Sequence, residues 1–557
     1  MLNYFPGLRP RLTESRYQAH EMEPVAETRD TLSPKGAVQE TPPMTLSEAI
    51  DRIGSGPFQT RLVMICGMGW VVDAMEILVV TFVLEDIAIT FGLSSVEKGL
   101  IGSSSFLGMV LGASFWSIYA DRRGRRSAFV QSLALVFVAG ILSALSPSLI
   151  VLCLCRVVVG FGVGGNMPVT TSLVTELLPT SERATVMCRV AGTMWGTGMI
   201  FASLLGLLLA NVFGPGQEEA MWRWFLGLAA LPSAMVAVAY KFLPESPRFL
   251  QVMGRHDEAR QVLEDMARVN GKLDVVGLGF SGQVVEEGEA PCRQVPGIVP
   301  SGTTGPSDGY AAVLPSDGHP AHRGEAEEAE AGDFRELFHT PILRRITLCL
   351  WVVWFTKNVS YYGLTFLLPR YCKDISGGGD EFIYILSAVV GVTFIFAGSI
   401  AMWLCSGHRL GRVGALKWSA LATAAAFFLL IATLRVKAIF AAASLVTLFS
   451  TAIPSIILYT FTPELYNTKY RTVGLGSASV VTRIGGILAP LLAEILYDKG
   501  GPAVPLLVFG PLMIVAAVAG GMIPIETAGR QLDDDSWDRQ EPADDSKDML
   551  VLPARMQ

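Results

Sequence analysis

A short basic turn between two long apolar runs limits most strongly how this chain can fold. Residues 121–126 read DRRGRR, and the runs on either side, at about 97–119 and 128–146, carry few charges. A helix needs about 20 residues to cross the hydrocarbon core of a bilayer, and both runs are long enough. Basic loops between spans stay on the cytoplasmic side of a membrane. The turn therefore predicts two membrane spans and their orientation; an orientation signal with no further role is its simplest interpretation.

Apolar runs of membrane length recur along the whole sequence. Of the 557 residues, 51% are hydrophobic and 17% are charged, whereas about a quarter of the residues of a soluble protein are charged. We therefore predict an all-α polytopic membrane protein with twelve transmembrane helices in two six-helix pseudo-repeats. The predicted spans are about 61–83, 97–119, 128–146, 149–171, 184–211, 222–243, 343–368, 381–404, 414–434, 437–460, 472–496 and 503–524.

The polar segments divide the chain into regions. We predict a tail at 1–60 with a short amphipathic helix at 45–53, a helical bundle at 61–243, a central loop at 244–342 with a disordered insert at about 271–332, a second bundle at 343–524 and an acidic tail at 525–557. Both termini and the central loop are expected to be cytoplasmic. We identify no removable signal peptide in the first 60 residues, because no apolar core there precedes a small-residue cleavage site.

The two halves carry matching charged motifs. Glu176 is followed seven residues later by Arg183, and Glu464 is followed seven residues later by Arg471, each pair after the fourth span of its half. A second basic turn, HRLGR at 408–412, has a histidine where the first turn has an aspartate. Two motifs at the same step of each half indicate an internal repeat, which is typical of carriers built from two related bundles.

These motifs resemble the major facilitator superfamily. The turn at 121–126 matches the pattern G-x-x-x-D-R-x-G-R-R, except that Ser117 replaces the first glycine. The segments PESPRFL at 244–250 and PIETAG at 524–529 resemble the endings of the sixth and twelfth helices in this family. Residues 45–59 resemble the element before the first helix in its synaptic vesicle protein two-related, organic-ion-transporter branch. The resemblance implies the major facilitator fold.

The resemblance also implies a cytoplasmic gate. In the family, acidic and basic residues at these positions tie helix ends together while the inner side is shut. The residues that match by position are Asp121, Arg125, Glu176, Arg183, Glu464 and Arg471.

The first half keeps charged residues inside its spans. A charge at the centre of a membrane helix costs about 2.5–3.5 kcal/mol, so such residues face a cavity or each other. Asp73 and Glu76 lie one turn apart on one helix face, and Arg156 and Asn166 lie on the fourth span. Asp73 is either a proton-binding group, since two close carboxylates do not both ionise easily, or the ion-pair partner of Arg156.

The second half adds cations and aromatic residues. The seventh span contains Lys357, Asn358, Tyr361 and Tyr362, and the eleventh contains Arg483. In the organic-ion transporters that this context resembles, the position of Arg483 is acidic in cation carriers and basic in anion carriers. A guanidinium binds a carboxylate or sulfonate through two parallel hydrogen bonds. Arg483 is therefore either an anion-binding residue or part of an internal salt bridge to the first half, and the tyrosines either line a cavity or pack.

These residues favour a secondary active or facilitative carrier of a small organic solute that works by alternating access. The best-supported solute is an organic anion, with a proton as the coupling ion. A sugar or polyol porter and a non-transporting membrane receptor or regulator of the same fold remain alternatives. We expect no enzyme activity, no cofactor, no metal site and no nucleic-acid partner. The expected setting is a monomer in the lipid bilayer of the plasma membrane or of an intracellular vesicle.

Overall fold

The computed structural model describes residues 45–214, 216–273, 334–376, 380–406, 410–466 and 468–527. Most of the predicted disordered insert, most of the acidic tail, the polar tail before residue 45 and His408 lie outside the described residues. The helices are α1 (Leu46–Ile53), α2 (Pro57–Phe91), α3 (Ser95–Arg123), α4 (Arg125–Ala144), α5 (Leu149–Leu177), α6 (Arg183–Val212), α7 (Glu218–Val238), α8 (Pro247–Val252), α9 (His256–Val269), α10 (Pro341–Tyr371), α11 (Asp380–Ser406), α12 (Gly411–Thr433), α13 (Lys437–Glu464), α14 (Thr468–Gly500) and α15 (Ala503–Gly521).

Twelve of these helices, α2 to α7 and α10 to α15, are long enough to cross a bilayer. Eleven of them are also apolar enough by composition. The exception, α10, carries Lys357 and Asn358 in its middle, and both side chains are buried in the protein. Polar residues that are shielded from lipid in this way are compatible with a membrane span. The all-α fold with twelve spans is therefore confirmed, although several helices extend beyond the predicted runs.

The twelve helices form two bundles of six, joined by the segment that contains α8 and α9. Within the first half α3 packs against α5, and within the second half α12 packs against α15. Between the halves, α3 packs against α14 and α6 packs against α11. We call the end of the molecule that holds the turn at 121–126 the basic end and the other end the opposite end.

The short helix α1 lies at the basic end, where its sequence fixes both its start and its buried face. Thr45 and Glu48 form a reciprocal cap, in which each side chain accepts a hydrogen bond from the backbone N–H of the other, at 3.3 and 3.2 Å. Its apolar residues, at i, i+3, i+4 and i+7, are buried. Asp51 accepts a hydrogen bond from the Thr180 N–H at 2.7 Å, which ties α1 to the loop between α5 and α6.

Candidate functional site

The first group of buried charges joins α2 to α5. Arg156 Nη1 donates to Glu76 Oε2 at 2.9 Å, and Nη2 donates to the Glu76 carbonyl oxygen at 3.2 Å. Both side chains are 2% exposed. The interpretation that pairs Arg156 with Asp73 is therefore wrong. Because α2 and α5 run in opposite directions, the later carboxylate of α2 meets the earlier part of α5.

Asp73 has a different environment one turn earlier. Its Oδ1 accepts a hydrogen bond from Asn166 Nδ2 at 2.7 Å, and Asn166 Oδ1 accepts one from Ser132 Oγ at 2.9 Å. Its Oδ2 is buried and has no hydrogen-bond partner within the described residues. An unsatisfied buried oxygen is costly, about 1–3 kcal/mol or more for a charged group. Asp73 Oδ2 can therefore take either a proton or the donor group of a bound molecule.

Arg483 lies at the interface of the two halves. Its Nη2 donates to the Gly164 carbonyl oxygen of α5 at 3.2 Å, and Nη1 donates to the carbonyl oxygen and hydroxyl of Ser479, one turn earlier on α14. The residue is 8% exposed. Within the described residues it forms no ion pair with Asp73, so the proposed internal salt bridge is absent from this conformation. Its hydrogen bonds go to carbonyl and hydroxyl oxygens, so no carboxylate among the described residues lies at ion-pair distance, although Asp73 is close enough to interact with it electrostatically.

Two of the predicted residues of α10, Lys357 and Asn358, lie in different environments: Lys357 is near aromatic rings, and Asn358 contacts α14. Lys357 Nζ lies 5.1 Å from the ring centroid of Trp354 and 6.0 Å from that of Tyr361, at cation–π distance. Within the part of the chain that is described, Lys357 has no ion-pair partner, and it is 4% exposed. Asn358 Nδ2 instead donates to the Thr482 carbonyl oxygen at 3.0 Å, so this residue fastens α10 to α14.

Aromatic side chains surround these charges. The ring centroid of Tyr459 lies 5.8 Å from that of Trp70, in a tilted arrangement, and 5.0 Å from that of Trp354, edge to face, so Tyr459 connects the two halves. Tyr361 and Tyr362 are 4.9 Å apart, with Tyr361 accepting a hydrogen bond from the indole N–H of Trp195 and Tyr362 packing on Phe106. Sequence reasoning missed Trp70, Trp354, Trp195 and Tyr459. Trp70 and Trp354 carry a local signal, since each precedes a buried charged residue by one helical turn.

Most predicted gate residues of the first half meet at the basic end. Arg125 Nη2 lies 3.0 Å from Asp121 Oδ1 and 3.6 Å from Glu176 Oε1. Glu245, which sequence reasoning missed, accepts a hydrogen bond from the Arg125 N–H at 2.9 Å and so caps α4. Arg183 is turned toward the loop after α5, where its Nε donates to the Leu178 carbonyl oxygen at 3.1 Å.

The second half repeats this arrangement, except that its arginine pairs with a single glutamate through two hydrogen bonds, whereas Arg125 lies near both Asp121 and Glu176. Glu464 forms a bidentate ion pair with Arg412, with both N–O distances at 2.9 Å. Glu526 accepts hydrogen bonds from the N–H groups of Arg412 and Val413 at 2.7 and 3.1 Å and so caps α12. Arg412 and Glu526 therefore belong to this cluster although they were not predicted. The side chain of Arg471 lies outside the described residues.

Sequence comparison links the chain to a family of membrane transporters. Residues 63–447 match the family model described as Major Facilitator Superfamily. The chain is 31% identical over 520 residues to organic cation/carnitine transporter 7 of Arabidopsis thaliana, with 89% of this chain and 97% of the relative covered. It is 28% identical to the synaptic vesicle 2-related protein of Xenopus laevis, over 88% of this chain and 82% of that protein. It is 29% identical to the niacin transporter NiaP of Acinetobacter baylyi, over 88% and 99%.

Solved structures show the same fold at low sequence identity. The partially occluded inward open conformation of the xylose transporter XylE from E. coli matches with a TM-score of 0.65 at 14% identity. This match covers 86% of this chain and all of that one. At this identity the likeness shows the fold alone.

Proposed function

The chain belongs to the major facilitator superfamily of membrane transporters, and we propose that it carries a small organic anion, together with a proton, by alternating access. In such carriers the substrate binds near the middle of the membrane, between two bundles that rock against each other. The charged side chains in the middle of α2, α5, α10 and α14 are buried in the interior of the molecule. Among them, Arg483 contacts the backbone of the other half directly. This position suits a substrate site.

One observation carries the anionic substrate class: Arg483 and Lys357 are buried cations, and neither has a carboxylate at ion-pair distance in the described residues. A buried charge without a counter-charge is expensive. A substrate carboxylate or sulfonate supplies that counter-charge, and the guanidinium can bind it through two hydrogen bonds. The surrounding aromatic rings offer apolar area to the rest of the solute.

The proposed coupling group is Asp73. Its second carboxylate oxygen is buried without a partner in the described structure, so protonation removes a costly charge and supplies a donor. Glu76 is assigned a structural role, because Arg156 already neutralises it. The basic end is proposed to be cytoplasmic, as the positive-inside rule favours.

The first experiment measures thermal stability of the purified full chain in detergent against nicotinate, benzenesulfonate, a quaternary ammonium compound, a trimethylammonium betaine and xylose. A ligand that binds only the folded state at 100 times its Kd stabilises by about 2.7 kcal/mol. We expect stabilisation by at least one of the two anions, and we expect Arg483→Gln to abolish it. Uptake of that anion into proteoliposomes then separates a carrier from a receptor that binds without transport.

The matched control is Arg223→Gln, because Arg223 lies away from the proposed site: it pairs with Glu219 on the same helix at 2.9 Å and donates to the Ala144 and Ser146 carbonyl oxygens, so its loss lowers the baseline stability without touching the site. This variant should keep the ligand response. Anion stabilisation that survives Arg483→Gln contradicts the assignment of Arg483, and stabilisation by xylose alone favours a sugar porter.

A zwitterionic substrate is the second candidate, because Asp73, whose Oδ2 has no hydrogen-bond partner in the described residues, lies near enough to Arg483 to interact with it electrostatically. A solute with a cationic and an anionic end would satisfy both. The relative from Arabidopsis thaliana is named for organic cations and carnitine. Stabilisation by the betaine, with no response to either anion, would favour this candidate.

A further inference from the structure

A further charged cluster lies at the opposite end of the molecule. It is formed near the start of α3 and near the end of α14, several turns beyond Arg483. In the first half, Lys98 Nζ donates to Glu85 Oε1 at 2.9 Å. In the second half, Arg370 Nη1 donates to Glu494 Oε2 at 2.8 Å and Nη2 donates to Asp498 Oδ1 at 2.7 Å. We call these residues, together with Ser95, the opposite-end cluster.

Two contacts of this cluster cross between the halves. Lys98 Nζ lies 3.7 Å from Glu494 Oε2, and the Ser95 hydroxyl donates to the Asp498 carboxylate. The side chain of Glu494 is 2% exposed and that of Lys98 is 10% exposed. Attraction between charges is stronger at such buried positions than at a solvated surface. The cluster therefore contributes to holding α3 against α14.

The same two helices are closely packed just inside the cluster. Ser103 Oγ donates to the Ile487 carbonyl oxygen at 2.6 Å. A Cβ on Gly99 would lie 2.9 Å from the side chain of Leu491 and 3.0 Å from its Cα, so a larger residue would require the two helices to shift. The contact residues of α3 recur every three or four positions, as do those of α14, so one face of each helix forms a continuous seam between the halves.

The ion pairs at the basic end are arranged differently. Arg125 pairs with Glu176 inside the first half, and Arg412 pairs with Glu464 inside the second. At the opposite end, charges from different halves thus hold the seam together. At the basic end, the Arg125–Glu176 and Arg412–Glu464 pairs remain intact when the two halves move apart, because each pair lies within one half.

We propose that the opposite-end cluster is an electrostatic latch that closes that end of the carrier and separates once in every transport cycle. The partners within each half make separation feasible. When the halves part, Lys98 keeps Glu85 and Glu494 keeps Arg370, so neither charge is left without a counter-ion. The latch thus biases the molecule toward the conformation closed at this end without fixing it there. The inference rests on the rocking of the halves and not on the substrate class.

The test measures access to the seam without any substrate. Ser103→Cys is introduced into a full-length chain in which all eight native cysteines are replaced, and its reaction with a membrane-impermeant maleimide is followed. Glu494→Gln removes the charge that crosses between the halves and keeps the shape of the side chain. We expect labelling about fivefold faster, the population shift that corresponds to about 1 kcal/mol.

Glu219→Gln is the matched control. It removes a carboxylate from an ion pair at the same end, but this pair lies within α7 of one half. The control should label at the rate of the parent. An equal acceleration in the control would overturn the latch, since it would indicate general loosening of the protein.

Lys98→Gln provides a second variant, because it removes the other member of the cross-half pair. Spin labels at Val212 and Val436, both exposed residues at the opposite end of different halves, report the distance between the halves by pulsed electron paramagnetic resonance. We expect both cluster variants to gain a population at longer distance. Unchanged distances and labelling rates in both variants would overturn the proposal, whatever the substrate proves to be.

Discussion

At the scale of single residues, the two carboxylates of α2 differ because their neighbours on α5 differ. Glu76 meets a guanidinium, and the resulting buried pair joins two helices. Asp73 meets a neutral amide and so has no ion-pair partner on α5, although each carboxylate keeps one buried oxygen, Asp73 Oδ2 and Glu76 Oε1, without a hydrogen-bond partner in the described residues. A single turn of helix therefore separates a carboxylate that is ion-paired with an arginine from one that is hydrogen-bonded to a neutral amide.

Asp73→Asn tests this distinction. The amide keeps a polar group of the same shape but cannot exchange a proton, so we expect an imposed pH gradient to lose its effect on transport. In proteoliposomes, uptake of the anion that stabilises the parent should fall to the rate without a gradient, while exchange of that anion across the membrane persists. Glu219→Gln should remain driven by the gradient. Proton movement coupled to uptake in Asp73→Asn would contradict the coupling role.

At the scale of helices, the close contact of α3 with α5 depends on glycines. A Cβ built on Gly160 would overlap the carbonyl oxygen of Ser105, and one built on Gly164 would overlap that of Met109. Small residues allow helix backbones in a membrane to approach closely, where packing and not hydrophobic burial drives association. This contact places the Gly164 carbonyl oxygen against Arg483.

Gly160→Ala should therefore destabilise the protein by about 1–3 kcal/mol, the usual cost of overpacking. Gly476 is the matched control, because it lies in α14 and a Cβ there would meet nothing within 4 Å. Gly476→Ala should be neutral or stabilising by up to about 1 kcal/mol, from helix propensity alone. Thermal unfolding in detergent measures both changes. Equal stability of the two variants would contradict the packing argument.

At the scale of the whole molecule, the two halves repeat one design at the basic end. An arginine at the start of α4 or α12 pairs with a glutamate at the end of α5 or α13, and a second glutamate, Glu245 or Glu526, caps the helix that the arginine begins. The cluster at the opposite end has contributions from both halves and crosses between them. This asymmetry suits a carrier in which one end is shut.

The orientation of the molecule is tested by single cysteines at exposed positions. Val252 is 83% exposed at the basic end and Val212 is 64% exposed at the opposite end. In intact cells that carry the chain in the plasma membrane, a membrane-impermeant thiol reagent should label Val212→Cys at once. It should label Val252→Cys only after permeabilisation, because basic loops remain on the cytoplasmic side. The reverse pattern would contradict the proposed orientation.

The sequence by itself determined the features that depend on neighbours along the chain. Run length gave the twelve spans, and the repeated motifs and the basic turn indicated the family and the two halves. Tertiary structure alone decided which charges meet, because spacing along a chain does not set the rotation and register of packed helices. It paired Arg156 with Glu76 and not with Asp73, turned Arg483 toward a backbone carbonyl, and joined Lys98 to Glu494 across almost 400 residues of sequence. A long charged side chain can reach several partners, and the packing of the helices determines which of those partners lie within ion-pair distance.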